Sequence, residues 1–264
     1  MNGMFRVAVA FNGDLSSWDV SSVTDMSEMF NFADAFNCDL SIWDVSSVTD
    51  MSHMFYGAYA LNGDLSRWNV SSVTDMSEMF NFADEFNGDL SIWDVSSVTD
   101  MSSTMFYGTV GFNGDLLSWN VSSVTDMSSM FGSASEFNGD LSIWEISSVT
   151  DMSHMFNDAD IFNGDLSSWD VSSATKMSYI FYNTDAFNGN LSSWNVSSVT
   201  YMSWMFGYAT AFNQDLCPWA DKFPYNSASE IFTGSCCTFG GTPQSDQRGP
   251  FCASSYCTSV RRLD

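Results

Sequence analysis

Positive charge is what this sequence has least of. Its 264 residues carry 7 Lys and Arg against 32 Asp and Glu, a formal net charge of −25. Nucleic acid is thereby excluded as a partner, because phosphate binding needs a basic patch. An anionic membrane surface would also repel the chain. No apolar run approaches the roughly 18 residues of a membrane-spanning helix. Met1 to Ala10 lack the basic and apolar regions of a secretory leader. No G-x-S-x-G, Walker A or zinc-protease motif occurs. Cysteine is scarce until the end: Cys38 alone precedes residue 217. A hydrophobic content of 45% is nevertheless too high for a disordered acidic chain.

What is there is a repeat. Trp18, Trp43, Trp68, Trp93, Trp119, Trp144, Trp169, Trp194 and Trp219 are 25 residues apart, except for one step of 26. The longer step follows from one extra residue within Ser102-Ser103-Thr104-Met105, where other coils read M-S-x-M-F. The chain enters mid-coil, with Met4-Phe5 and Ala8 matching Met29-Phe30 and Ala33, as a fragment of a longer array would.

Two periods coexist in a coil. Trp18-Asp19-Val20 alternates apolar and polar, which predicts a strand. Met26, Met29, Phe30 and Ala33 follow i, i+3, i+4, i+7, which predicts a helix over about 25–32. Ser22 with Asp25 resembles a capping box, Thr24 is a competing N-cap, and Asn12-Gly13 marks a turn. One such coil cannot bury its apolar face, so neighbours must stack. The expected fold is an α/β solenoid of about 8–9 coils, with a parallel β-sheet on one face, short helices on the other and coils spaced about 4.8 Å apart. Residues 1–219 form the array, its first coil incomplete, and 220–264 a Cys-rich C-terminal cap.

The phrases W-D-V-S-S-V-T-D-M-S-x-M-F and F-N-x-D-L-S-x-W recur from residue 4 to about 219. In them the chain resembles the BspA-like leucine-rich-repeat surface proteins. The resemblance implies a right-handed, leucine-rich-repeat-like solenoid and an extracellular or cell-surface setting. It brings no catalytic residues, and it implies adhesion or interaction with a ligand it leaves open.

In a stack, each repeat position becomes a column. Leu15, Trp18, Met26 and Phe30 begin core columns. Asn12, Asn37, Asn62, Asn87, Asn113, Asn138, Asn163, Asn188 and Asn213 form an unbroken structural column. Its amides are expected inside the turn, pairing buried backbone groups of adjacent coils. Three columns carry 19 of the 32 acids. The first runs from Asp14 to Asp215 with Asn190 interrupting. The second runs from Asp25 to Asp151 and ends in Lys176 and Tyr201. The third comprises Asp19, Asp44, Asp94, Glu145 and Asp170, with Asn69, Asn120 and Asn195 between. Stacked like charges repel. One reading gives these acids local work, as turn caps and helix N-terminal charges. The other has them bind Ca²⁺ through oxygen ligands, with Asp89, Asp115 and Asp140 as candidates. No cofactor is otherwise expected.

Ser21, Ser22, Thr24 and Ser27 begin hydroxyl ladders, which suit turns and caps or, in a third reading, ice. His53 and His154 are four coils apart and cannot form one metal site. Asn69, Asn120, Asn190 and Asn195 are N-x-S glycosylation candidates. Cys217, Cys236, Cys237, Cys252 and Cys257 are disulfide candidates with one left over, and Cys38 is too far away to join them. Taken with what the resemblance implies, the expectation is a non-enzymatic surface or secreted scaffold that binds a protein or glycan. The alternative is a subunit that self-assembles into a filament or wall layer.

Overall fold

The computed structural model describes residues 1–101, 104–254 and 257. Repeats stack on one another, but among the described residues neither the parallel sheet nor the helical face forms. Among the described residues the only helices are three short 3₁₀ turns, Val196–Ser198, Cys217–Trp219 and Tyr225–Ser227. Among the described residues, parallel pairing is confined to isolated bridges between second-column residues, from Asp25–Asp50 to Asp75–Asp100 and from Asp126–Asp151 to Lys176–Tyr201. The α/β solenoid expectation is therefore corrected to a stack of tight turns.

Hydrogen bonding explains the missing helix. Over 26–33, alternate N–H groups leave their own coil: Met26 donates to Asp50, Glu28 to Ser52, Phe30 to Met54 and Phe32 to Tyr56, at 2.7–2.9 Å. The intervening groups close local turns, from Met29 to the Met26 carbonyl, Asn31 to Glu28 and Ala33 to Phe30. A helix would need all of these N–H groups within one coil. Glu28 (φ 55°) and Phe32 (φ 53°) are left-handed, and so are their equivalents His53, Glu78, Phe82, His154 and Tyr208. Each of these two positions is third in its turn, where a type II turn requires positive φ. The i, i+3, i+4, i+7 pattern arises because successive turns also point Met26, Met29, Phe30 and Ala33 inward, all fully buried.

The missing sheet has a similar cause. Trp18 N–H closes a turn on Leu15 and Val23 N–H closes one on Val20. W-D-V thus lies between two turns, too short to pair as a strand. That region is tied to its neighbours by side chains instead. Eight Trp indoles, Trp43 to Trp219, donate Nε1–H to the carbonyl of the Leu in the preceding coil at 2.9–3.2 Å, as Trp119 does to Leu90. These tryptophans are buried, whereas Trp18 is half-buried.

The core is a set of aromatic stacks. Phe5, Phe30, Phe55, Phe80, Phe106, Phe131, Phe156, Phe181, Phe206 and Phe232 form one continuous ladder with centroids 5.5–5.8 Å apart. A second ladder, Phe86 to Phe212, lies beside it at 5.9–6.1 Å spacing. Burial of each ring contributes on the order of 2 kcal/mol. Of Ser102-Ser103-Thr104-Met105, within which the extra residue falls, the first two lie outside the described residues. On either side the ladder continues with a one-residue shift, Phe80 N–H donating to Met105.

The array runs further than the tryptophans indicate. Met202, Trp204, Phe206 and Tyr208 donate to Ser227, Ser229, Ile231 and Thr233, so one more coil forms. The segment beyond it folds over the end of the stack through antiparallel bridges, including Asp215–Cys252 and Phe239–Cys252. Cys217–Cys257 and Cys237–Cys252 are disulfides, with Cα atoms 5.3 and 4.5 Å apart.

Glycine is required where a ring of one coil lies on the backbone of the next. Gly108 has φ +66°, and a Cβ there would sit 2.5 Å from Phe82 Cδ1. Gly108→Ala should lower stability by at least about 1 kcal/mol, from left-handed strain alone. Gly240→Ala, whose Cβ meets nothing closer than 3.5 Å, should shift the melting temperature little. Equal shifts in thermal unfolding would refute this account.

Candidate functional site

The exposed columns owe their geometry to a tripeptide that occurs up to three times per coil. Asp14-Leu15-Ser16, Asp19-Val20-Ser21 and Asp25-Met26-Ser27 are each D-x-S around a buried apolar residue. The backbone N–H two residues on donates to the carboxylate, at 2.8 Å from Ser16, 3.1 Å from Ser21 and 2.9 Å from Ser27. The Ser21 and Ser27 hydroxyls donate to the same oxygen. These are Asx-turns, in which the side chain stands in for a backbone turn. The expected work as turn caps is present. The expected charge at a helix N-terminus is not, because no helix follows.

Asparagine substitutes without loss of the bond. Asn69, Asn120, Asn190 and Asn195 accept from the N–H of Ser71, Ser122, Ser192 and Ser197. All four glycosylation candidates are thus turn residues. At Asn69 and Asn120 the serine hydroxyl also donates to the Asn oxygen, at 2.8 and 2.7 Å.

Serine hydrogen bonds hold Asp14, Asp19, Asp39, Asp44, Asp64, Asp89, Asp94, Asp140, Asp165 and Asp170 below the usual carboxylate range. Column neighbours push the other way, Asp64 and Asp14 on Asp39 among them, and the serine bonds outweigh them. The calcium candidates Asp89, Asp115 and Asp140 each accept from the N–H two residues on, at 2.9 Å. Among the described residues, no group of three His, Cys, Asp or Glu side chains is placed to hold a metal ion. In the second column Lys176 Nζ lies 2.7 Å from Asp151 Oδ2, so the one basic residue of the columns pairs with the acid of the coil before it.

The Asn column is a ladder between coils on the exposed edge of the stack. Asn12 Oδ1 accepts from Asn37 N–H, and the pattern continues to Asn213 at 2.8–3.1 Å. Asn213 accepts from Thr238 in the cap. The bond to the adjacent coil is as expected from sequence, but these residues are exposed rather than buried. Threonine hydroxyls serve the same end, Thr49 Oγ1 donating to the Thr24 carbonyl at 3.2 Å and Thr150 to Thr125 at 3.1 Å. Their hydrogens are engaged internally, which leaves a poor donor array for ice.

His53 and His154 occupy left-handed turn positions in separate surroundings. His53 Nε2 is 3.4 Å from Glu78, and His154 stacks on Tyr179, where burial pushes its pKa down. Cys236 is exposed and unpaired. The Cys38 thiol is half-buried, donates to the Gly13 carbonyl at 2.9 Å and is pushed up by burial. The sequence reading missed the serine partners of the acids, although D-x-S is visible three times in each of the first, second and fourth full coils.

Three overlapping stretches, residues 1–91, 62–163 and 139–238, match the family described as Mycoplasma protein of unknown function, DUF285. The chain belongs to this family. Its matched stretches together reach residue 238, past the last coil and into the cap. No curated protein matches the chain. No helix among the described residues of this family member is long and apolar enough to cross a membrane.

Two predictions follow from the Asx-turns. Asp89→Asn keeps the acceptor and should be nearly neutral, whereas Asp89→Ala should cost about 0.5–1 kcal/mol. Because the folded pKa values of Asp39, Asp64 and Asp89 are lowered, their contribution is full above about pH 3.9. It is lost as pH falls through the folded values. The triple Asn variant should therefore lose less stability than wild type below about pH 3.9 at fixed ionic strength, as followed by circular dichroism. Identical acid profiles would refute the assignment.

The second concerns calcium. Binding to the folded state would raise stability by mass action, whereas screening is supplied by any salt. Millimolar CaCl₂ and NaCl at matched ionic strength should shift the melting temperature alike. A calcium-specific shift, reversed by chelator and reduced in Asp89→Asn/Asp115→Asn, would overturn the purely local role.

Proposed function

We propose that the chain is a non-enzymatic binding scaffold, secreted or exposed on a cell surface, which presents its repeated acidic and hydroxyl-bearing columns to a protein or glycan. The observation that carries this reading is the first and third Asp columns, exposed along the stack and fixed by turn hydrogen bonds. An ionised carboxylate has about four acceptor positions, and the turn uses one or two of them. The remainder form a regular acceptor array on a rigid backbone, at little ordering cost to a partner. The two disulfides of the cap favour an oxidising compartment. Kinship with the BspA-like surface proteins belongs to the same proposal and rests on the repeated phrases.

A second reading, assembly into a filament or wall layer, is favoured by the exposed thiol of Cys236. A membrane-impermeant amine label applied to intact source cells tests the location. The exposed lysines Lys176 and Lys222 should be labelled before lysis or in the medium; labelling only after lysis would sink the surface reading. Light scattering separates the two readings. The scaffold stays monomeric and is retained on a glycan or protein array, whereas the assembling subunit grows with concentration and stops growing as Cys236→Ser.

A further inference from the structure

The turn face carries a second feature that the columns of acids and hydroxyls do not include. At its C-terminal end the residues that follow one another along the stack at the Glu28 position are His154, Tyr179 and Trp204. His154 and Tyr179 stack with centroids 4.7 Å apart and planes 4° apart, and Tyr179 and Trp204 at 6.4 Å and 12°. Trp204 continues onto Tyr208 at 6.1 Å and 16°, with Tyr182 standing edge-on to both at 5.9 and 5.5 Å. Tyr208 is 43% exposed, and Tyr179, Tyr182 and Trp204 are half-buried. Trp204 is the one tryptophan of ten that stands outside the 25-residue column.

The strip is built into the backbone. A Cβ on Gly207 would lie 2.8 Å from Trp204 and 2.9 Å from Tyr182, and one on Gly234 2.4 Å from Tyr208. Glycine at these positions lets the rings lie against the coils. Core packing does not account for the strip, since the Phe and Trp ladders fill the interior and these rings lie outside it.

Its surroundings are acidic. Asp158 precedes Tyr208 in the same column by two coils and is held by Asn183 Nδ2 at 2.7 Å. Burial, then Asp185 and Asp158, raise the pKa of Asp160, so three carboxylates crowd together here. The nearby cation Lys176 is paired with Asp151. Faces of Tyr and Trp attract cations through the ring quadrupole. Guanidinium, planar and weakly hydrated, stacks on such faces better than ammonium.

We propose that the Tyr179–Trp204–Tyr208 strip, with Tyr182 and the carboxylates of Asp158, Asp160 and Asp185, is the docking surface for an arginine-rich segment of a partner protein. Charge complementarity selects this occupant. The chain carries −25 overall, so a cationic segment is steered to it from any direction, and the rings fix where it settles. This proposal rests on the scaffold reading and names one partner class for it.

Fluorescence anisotropy tests it with the full chain, labelled oligoarginine and oligolysine of equal length, and physiological ionic strength. Oligoarginine should bind more tightly than oligolysine. Tyr179→Ala/Trp204→Ala should weaken oligoarginine about tenfold, while Ile143→Ala, an exposed apolar truncation elsewhere, should leave binding unchanged. Should the double variant fail to fold, Trp204→Phe supplies the second measurement: oligoarginine should perturb wild-type tryptophan emission and lose that effect in the variant. Equal affinity for the two peptides, or ring variants that bind as wild type, would reduce the interaction to unspecific attraction and overturn the proposal. Displacement of the peptide by a neutral cello-oligosaccharide would overturn it in favour of a glycan. If a ring-less variant still binds a glycan or protein through its acid columns, the docking site fails while the scaffold reading stands.

Discussion

Alternate N–H groups along the turn face have no partner inside their own coil. Met26, Glu28, Phe30 and Phe32 must find carbonyls in the coil that follows. A buried backbone donor left unpaired costs about as much as the hydrogen bond it forgoes. A coil in isolation is therefore deficient in hydrogen bonds as well as in buried area, and the unit of stability is the junction between coils. The same need fixes the register. A slip of one residue would exchange the outward donors for those that close local turns, and would point Met26, Phe30 and Ala33 away from the core. The left-handed residues at the Glu28 and Phe32 positions let both sets of bonds exist together.

Once the junction is fixed, the remaining columns reinforce it from different sides. Trp indoles reach back to Leu carbonyls in the interior, Asn oxygens accept from the next coil on the exposed edge, and Thr hydroxyls reach back between them. Most coils thus carry three side-chain ties besides their backbone bonds. The aromatic ladders follow from the translation: identical rings repeated at the coil spacing have nowhere to lie but on one another. The cap, with its two disulfides, closes the face that the last coil would leave open.

The surface is organised by the same economy. Nineteen acids in columns would repel strongly if each were only a charge. Most instead hold a turn through Ser N–H, and this lowers their pKa despite charged neighbours. Acidity here is compatible with stability because most of these carboxylates have a local partner. Asn does the same work wherever it interrupts a column. Outward rings also meet edge to face on the N-terminal turn face, as Phe32, Tyr56, Phe82 and Tyr107 do; the parallel stack of His154, Tyr179 and Trp204 sets the C-terminal strip apart as a candidate for recognition.

The sequence alone determined the period, the identity of the core columns Leu15, Trp18, Met26 and Phe30 and the stacking of coils, because each is a local or strictly periodic property. It misled on secondary structure. Met26, Met29, Phe30 and Ala33 face inward in a helix, but they do so equally in a run of turns, and spacing cannot separate the two. Trp18-Asp19-Val20 alternates like a strand yet is held between two turns. The exposure of the Asn column, the exit of alternate N–H groups to the next coil, the coil beyond Trp219, the disulfide pairing and the outward aromatic strip were decided only by tertiary structure. The physical reason is that they depend mainly on groups about 25 residues or more apart in sequence meeting across a junction, the Cys237–Cys252 disulfide with its separation of 15 residues excepted, and no local pattern encodes which partner lies on the other side.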